Sequence, residues 1–121
     1  MKQLAIIGAA LLAAPVFLAA PAKAEIRQST GKVTFLRVHD VGTKYGPPAD
    51  QLDVEVVIKL STEPRSAFGF RLRNDANLAA HQGMLDLLRD AFGSGSTVTI
   101  DYDIPSGKKN GTIIRTWLTK P

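Results

Sequence analysis

The order in which the hydrophobic period changes along the chain is the feature that most limits its fold. Apolar residues alternate with polar ones, as in β-strands, in three segments between residues 31 and 73. The period changes to that of a helix at residues 78–92, and alternation returns at residues 97–104 and 112–119. The sequence therefore predicts three strands, one helix and two strands, in that order.

Residues 52–60 form the clearest of these strands. Alternate apolar residues from Leu52 to Leu60 share one face, whereas Asp53 and Glu55 lie on the other. Val56 stands at the centre of the apolar face. We expect its side chain to be buried against the apolar stripe of the helix.

The neighbouring strands have less regular patterns. Residues 31–39 are apolar on both faces, which indicates a bulge or a strand shared between two packing surfaces. The third strand follows a turn predicted at Glu63-Pro64 and places Arg71 and Arg73 on its polar face. These arginines would lie opposite the carboxylates of the second strand, and we expect solvated charge pairs there.

Capping and turn residues mark the remaining boundaries. Asp75 or Asn77 can cap the helix, and residues 93–95 end it. Asn110-Gly111 is typical of a tight hairpin turn between the last two strands, because this pair supplies positive φ angles. With Thr112 it also matches a glycosylation acceptor, but the turn is the simpler interpretation. The apolar stripe of the helix consists of Leu78, Met84, Leu85, Leu87, Leu88, Ala91 and Phe92.

This element order resembles the OB-fold, an all-β, five-stranded Greek-key barrel whose helix lies between the third and fourth strands. So short a chain buries one sheet face by curling the sheet, with the helix closing one end. A ferredoxin-like sandwich needs a second helix after its first strand. The segment 41–50 contains Gly42, Gly46, Pro47 and Pro48, which exclude a helix there.

The first 24 residues have the character of a secretory signal peptide. One positive charge at Lys2 precedes an apolar run, and the segment ends in Ala22-Lys23-Ala24. We expect cleavage before Glu25, a periplasmic or secreted domain at residues 25–121, and no membrane span after cleavage. The alternative is an uncleaved anchor or a buried helix, although the run is short for a membrane span. The chain has no cysteine, so neither disulfides nor a lipid-modified cysteine is available.

The sequence offers little support for catalysis. His39 and Asp40 are neighbours on a strand and point to opposite faces, while His81 lies alone on the helix. Asp101 and Asp103 share a strand face, but a cross-strand pair with Arg115 explains them more simply than a metal site or a glycosidase pair. We therefore expect a non-enzymatic protein without a metal or a cofactor.

A binding face is better supported by the predicted fold. OB-folds bind ligands beside the loop between strands one and two and the loop between strands four and five. Here these loops are residues 41–50 and 105–111. The candidate ligand-binding residues in the two loops and on strand three are Lys44, Tyr45, Arg71, Arg73, Lys108 and Lys109. We expect an oligosaccharide or another anionic ligand, with Trp117 as an additional ring; the alternative is that the loops are ordinary solvated turns.

Residues 31–42, 84–104 and 111–119 resemble the layout of the B subunits of AB5 toxins, in particular the subtilase-cytotoxin type. The shared features are a helix ending in a small polar turn, the strand Val98-Thr-Ile-Asp-Tyr102 and a short last strand. The resemblance implies assembly into a ring that binds cell-surface glycans, although those subunits commonly carry disulfides. An assembly subunit of a homo- or hetero-oligomer is therefore the alternative function.

Nucleic acid is a less favoured partner. Without Lys2 and Lys23, the mature chain has 15 − 2 = 13 basic and 11 acidic residues, which gives a net charge of only +2. Single-stranded nucleic acids are usually bound by several stacked aromatic rings. Tyr45 is the one clear candidate in the predicted loops.

Overall fold

The computed structural model describes residues 25–121, which form a closed five-stranded β-barrel with one helix. The predicted fold class is confirmed, and the element order matches an OB-like fold. The predicted signal peptide, residues 1–24, lies outside the described residues. The strands are β1 (Glu25–Val38), β2 (Val56–Leu60), β3 (Glu63–Phe70), β4 (Thr97–Ile104) and β5 (Gly111–Leu118); the helix is α1 (Leu78–Ser94), and a 3₁₀ turn spans Pro48–Asp50.

The strands follow the order β1-β2-β3-β5-β4 around the barrel, and β4 closes it by pairing with β1. All pairs are antiparallel except β3 with β5, which pair in parallel only where Phe68 and Gly69 meet Gly111 and Thr112. The long strand β1 pairs with β4 along its first half and with β2 along its second half, with an irregularity between Val33 and Phe35. The sequence indicated a bulge or a strand shared between two packing surfaces. The register shifts between Val33 and Phe35, and these two residues pack on different apolar clusters.

The barrel interior is filled by apolar side chains from all five strands and from α1. Val56 is fully buried and belongs to the same cluster as Leu85 and Leu88, as the alternation in β2 predicts. On α1, the buried stripe narrows to Leu85, Leu88 and Ala91, and Phe92 is half-exposed. The full cluster consists of Val33, Val56, Ile58, Leu60, Phe68, Phe70, Leu85, Leu88, Ala91, Val98, Ile100, Tyr102, Ile104 and Ile113.

A second, smaller apolar cluster lies outside the barrel interior. Leu52, Val54, Val57 and Ala67 form it, with Phe35 and Tyr45 packed against them. The prediction that Leu52 and Val54 share a face with Val56 is therefore wrong. The regular strand begins only at Val56, and the residues before it belong to a loop that folds over the outer surface of the barrel.

Two turn predictions are also wrong. The β2–β3 turn is at Ser61 and Thr62, where the Thr62 hydroxyl donates a hydrogen bond to the Thr30 carbonyl at 2.8 Å; Glu63 and Pro64 already belong to β3. The β4–β5 turn uses Gly107 at φ +78°, with the Lys108 amide bonded to the Pro105 carbonyl.

The boundaries of α1 agree with the sequence. Asn77 is the N-cap residue, but its side chain makes no capping hydrogen bond; instead the Asp75 carboxylate accepts one from the Asn77 amide at 2.9 Å. Gly95, at φ +72°, ends the helix and donates its amide to the Ala91 carbonyl. Within residues 25–121, no helix is long and apolar enough to cross a membrane.

Candidate functional site

A pocket of about 660 Å³ lies between the two loops that the OB-fold prediction singled out. We call it the loop pocket. Its walls come from loop 1–2 (residues 39–55), loop 4–5 (residues 105–110) and the adjoining ends of β3, α1 and β5. It is lined by Pro48, Ala49, Asp50, Gln51, Leu52, Asp53, Val54, Phe70, Arg71, His81, Pro105, Lys108, Asn110, Thr112 and Ile113.

A set of hydrogen bonds, here called the loop interlock, holds the two loops together. The Asp50 carboxylate accepts hydrogen bonds from the backbone amides of Lys109 at 2.8 Å and Asn110 at 3.4 Å. The Asn110 side chain donates to the Asp50 carbonyl at 2.9 Å and accepts from the Ala67 amide at 2.9 Å. Lys108 Nζ also donates to the Ala49 carbonyl. Side chains from both loops therefore fix the shape of the pocket wall.

Beside the pocket, two arginines pair with the two carboxylates that precede β2. Arg73 bonds Glu55 and Asp53 at 2.8 Å each, and Arg71 reaches Asp53 at 3.3 Å. The pairing was predicted correctly, but the prediction that the pairs are solvated is wrong for Glu55. This residue is only 2% exposed and also accepts a hydrogen bond from the Leu72 backbone amide at 2.9 Å. The hydrogen bond from Arg73 holds the pKa of Glu55 below its ordinary value, with a further contribution from the Leu72 amide.

The same cation lowers the pKa of Asp53, chiefly through its side-chain hydrogen bond and then by charge attraction. In return, the hydrogen bond to Glu55 raises the pKa of Arg73 further above its already high value. The positive charge of Arg73 is thus paired with Asp53 and Glu55. Arg71 makes the longer contact and keeps about half of its side chain exposed, at 53%.

The structure brings some of the predicted binding residues together and separates others. Arg71 and Lys108 line the loop pocket, whereas Lys44 and Lys109 are exposed outside its lining. Tyr45 belongs to the second apolar cluster: its ring lies 6.1 Å from that of Phe35, centroid to centroid.

Tyr45 is also covered by a cation. The guanidinium carbon of Arg37 lies 5.7 Å from the centre of the Tyr45 ring, and the Tyr45 backbone forms a bridge with Leu52. Sequence reasoning treated Tyr45 as an exposed loop ring, because the second apolar cluster that it covers has no signature in the local pattern. We therefore assign it a structural role.

The structure adds three pocket residues that sequence reasoning missed. Asp50 and Asn110 act through contacts between positions far apart in the chain, which local patterns do not reveal. His81 lines the pocket, its ring lies 5.4 Å from that of Phe70, and its buried Nδ1 has no hydrogen-bond partner in the described structure. In the sequence, the only indication that His81 lies at the pocket is its position on the first turn of α1, shortly after the end of β3.

The other histidine and Asp101 have structural partners. His39 Nε2 bonds the Val54 carbonyl at 2.8 Å. Asp101 pairs with Arg115 at 2.8 Å across the β4–β5 ladder, as predicted, and accepts a hydrogen bond from Gln28. Trp117 is partly buried opposite Thr99 and does not line the pocket. Residues 25–121 contain no group of three or more side chains placed to hold a metal ion.

No protein-family model, curated protein or solved structure matches the chain. The geometry of the loop pocket, its partly apolar lining and its charges are therefore the observations from which a function can be inferred.

Proposed function

We propose that the protein is a non-catalytic binding module whose ligand occupies the loop pocket. The observation that supports this function is the meeting of both loops around one concavity of about 660 Å³. This volume lies within the range of small-molecule binding sites. The loop interlock gives the pocket a fixed wall before any ligand arrives, which lowers the entropy lost on binding.

The distribution of charge favours an anionic ligand. The carboxylates of Asp50 and Asp53 already accept hydrogen bonds from donors of the protein. The cations Arg71 and Lys108 both line the pocket with exposed side chains. Lys108 donates to a backbone carbonyl instead of a carboxylate, and Arg71 shares Asp53 with Arg73. An incoming carboxylate, sulfate or phosphate would therefore meet cations whose charge is only partly balanced.

Part of the pocket lining is apolar. Leu52, Val54, Phe70 and Ile113 belong to it. A ligand that combines an anionic group with one apolar face fits this lining, and an oligosaccharide bearing acidic groups has both properties. We therefore propose an oligosaccharide or another anionic compound as the ligand.

Titration of the purified protein with neutral, carboxylated and sulfated oligosaccharides tests this function. At low salt, Arg71→Ala and Lys108→Ala should each weaken binding of the acidic members by about three- to tenfold, and the loss should shrink at high salt because exposed charges are screened. Arg89→Ala is the matched control, since Arg89 is an exposed arginine of α1 outside the pocket. Equal binding by all four proteins, with unchanged thermal melts, would remove the proposal.

We also propose export to the periplasm or the exterior, with cleavage before Glu25. The leader pattern supports this address, and β1 begins at Glu25, so the cut would leave every strand whole. N-terminal sequencing of the protein recovered from the exporting cells should find Glu25 first. A chain that still begins with Met1 outside the cytoplasm would contradict cleavage.

An assembly subunit, as in toxin B subunits, is the second candidate function. Beyond Thr112, no strand among residues 25–121 pairs with the side of β5 that faces away from β4, and Ile114 and Leu118 are each 41% exposed. Open strand edges with apolar side chains favour pairing with another chain. Light scattering after size-exclusion chromatography should give a multiple of the monomer mass; a monomer at high concentration would count against assembly.

A further inference from the structure

We propose that Asn110 is a site of spontaneous deamidation, controlled by the loop interlock, and that its conversion uncouples the two loops. The sequence Asn110-Gly111 is chemically the most reactive asparagine context, because glycine has no Cβ to hinder its own backbone nitrogen. The structure shows that this pair does not form the hairpin turn. The inference does not depend on the proposed ligand.

The reaction needs only water. The Gly111 backbone nitrogen attacks Cγ of Asn110, the bond from Cγ to Nδ2 breaks, and ammonia leaves with the proton from the Gly111 nitrogen. Water then opens the cyclic imide at either carbonyl, giving aspartate or isoaspartate at position 110. The net change is the loss of one ammonia and the uptake of one water.

In the folded protein, the amide of Asn110 is held away from this path. Asn110 is 8% exposed, its Oδ1 accepts from the Ala67 amide, and its Nδ2 donates to the Asp50 carbonyl. Attack requires the side chain to turn its Cγ toward the Gly111 nitrogen, which breaks both hydrogen bonds. Local opening of the interlock must therefore precede the reaction, as it precedes exchange of buried amides.

The product is incompatible with the interlock. A carboxylate at position 110 has no hydrogen to donate to the Asp50 backbone carbonyl. It also adds a negative charge near the Asp50 carboxylate, whose Oδ1 lies 3.4 Å from the backbone nitrogen of Asn110. Isoaspartate also lengthens the backbone just before Gly111 pairs with Phe68. A carboxylate can still accept from the Ala67 amide, so deamidation would detach loop 4–5 chiefly from loop 1–2.

The test is peptide mapping by mass spectrometry of the full chain, incubated at mildly alkaline pH with and without urea. We expect Asn110 to deamidate at least roughly tenfold more slowly in the folded chain than in the unfolded one, because opening limits the folded rate. Asn74 and Asn77 are exposed internal controls, each followed by a residue with a Cβ. Their deamidation rates should differ little between the folded and the unfolded chain.

Two variants complete the test. Asp50→Ala should raise the folded rate at Asn110 several-fold while thermal melts confirm that the barrel remains folded. Asn110→Asp should lower the melting temperature and increase amide exchange in both loops. Equal rates at Asn110 in folded and unfolded protein, or an unchanged rate in folded Asp50→Ala, would overturn the proposal; so would an Asn110 that stays intact in urea.

Discussion

At the scale of single residues, Glu55 shows how a pairing can be foreseen while its surroundings are not. Alternation placed Glu55 on a polar face opposite Arg73, and the two do pair at 2.8 Å. The same pattern predicted solvent around them, yet Glu55 is among the most buried polar residues of the described chain, 25–121. The Leu72 backbone amide and the Arg73 side chain both bond its carboxylate, and no local pattern encodes that enclosure.

The lowered pKa of Glu55 predicts a loss of stability in acid. A depressed folded pKa means that the stabilising contribution is fully present above the ordinary value of 4.5 and is lost as the pH falls through the lowered folded value. The melting temperature should therefore fall with pH below about 4.5, and Glu55→Gln should flatten part of this dependence.

Glu55→Gln should also destabilise the protein at neutral pH by about 2 kcal/mol, because Arg73 loses its most buried partner but keeps Asp53. Glu63→Gln is the matched control, since the Glu63 carboxylate accepts a hydrogen bond from a neutral group, the Ser29 hydroxyl, at 3.4 Å. Thermal melts at several pH values measure both effects. An acid profile that Glu55→Gln leaves unchanged would show that other carboxylates control it.

At the scale of elements, the strand β2 is where the sequence pattern was both right and wrong. The face carrying Val56, Ile58 and Leu60 was predicted correctly because β2 pairs with a strand on each side and its alternate side chains are buried in the main core, although both pairings shift register near Leu60. The prediction that the strand and its buried face extend back to Leu52 was wrong. Apolar residues in a loop that covers the barrel can show the same alternating pattern as a strand. Periodicity identifies buried positions without saying which surface buries them.

Val56→Asp tests the correctly assigned face. It places an unpaired charge in the main core and should unfold a domain whose total stability is about 5–10 kcal/mol. Val41→Asp is the matched control, because Val41 is 62% exposed in loop 1–2. Circular dichroism should show an unfolded Val56→Asp and a Val41→Asp that melts with the wild type; the same melting temperature for both would mean that Val56 is not in the core.

The packing of β3 against β2 gives a second prediction at this scale. A Cβ on Gly69 would lie 2.5 Å from the Val56 carbonyl oxygen and 2.6 Å from Val54 Cγ2, so Gly69→Ala should destabilise by about 2–3 kcal/mol.

At Gly83, the same substitution to alanine should have the opposite effect on stability. Gly83 lies within α1 and a Cβ there meets nothing within 4 Å, so Gly83→Ala should stabilise by about 1 kcal/mol. Urea unfolding of both variants measures the two signs. A neutral Gly69→Ala would mean that β2 and β3 are able to move apart at this point.

At the scale of the whole molecule, the barrel was predictable because the order of periods leaves few ways to cover a sheet in a chain this short. The meeting of loops 1–2 and 4–5 followed from that topology. The interlock between Asp50 and Asn110, the structural use of Tyr45 and the place of His81 did not follow. Each depends on a contact between residues distant in the sequence, and such contacts leave no periodic trace.

The topology also predicts slow refolding. Most strand pairs join distant parts of the chain, and barrels of this kind refold in roughly milliseconds to seconds. Trp117 is the one tryptophan of the chain and lies in the last strand, so its fluorescence should report closure of the barrel. Stopped-flow dilution from urea should show a main phase in this range; complete recovery within microseconds would contradict it.

The pairing of β1 with both β2 and β4 also has a consequence for folding during synthesis. Glu25 pairs with Ile104, a separation of 104 − 25 = 79 residues, so the first strand waits until almost all of the chain has left the ribosome. A growing chain can form the β1–β2–β3 meander, but its free β1 edge stays open until β4 emerges. Nascent chains of increasing length should therefore stay sensitive to protease until β4 and β5 are both exposed, a delay that would keep the polypeptide threadable through a translocation channel.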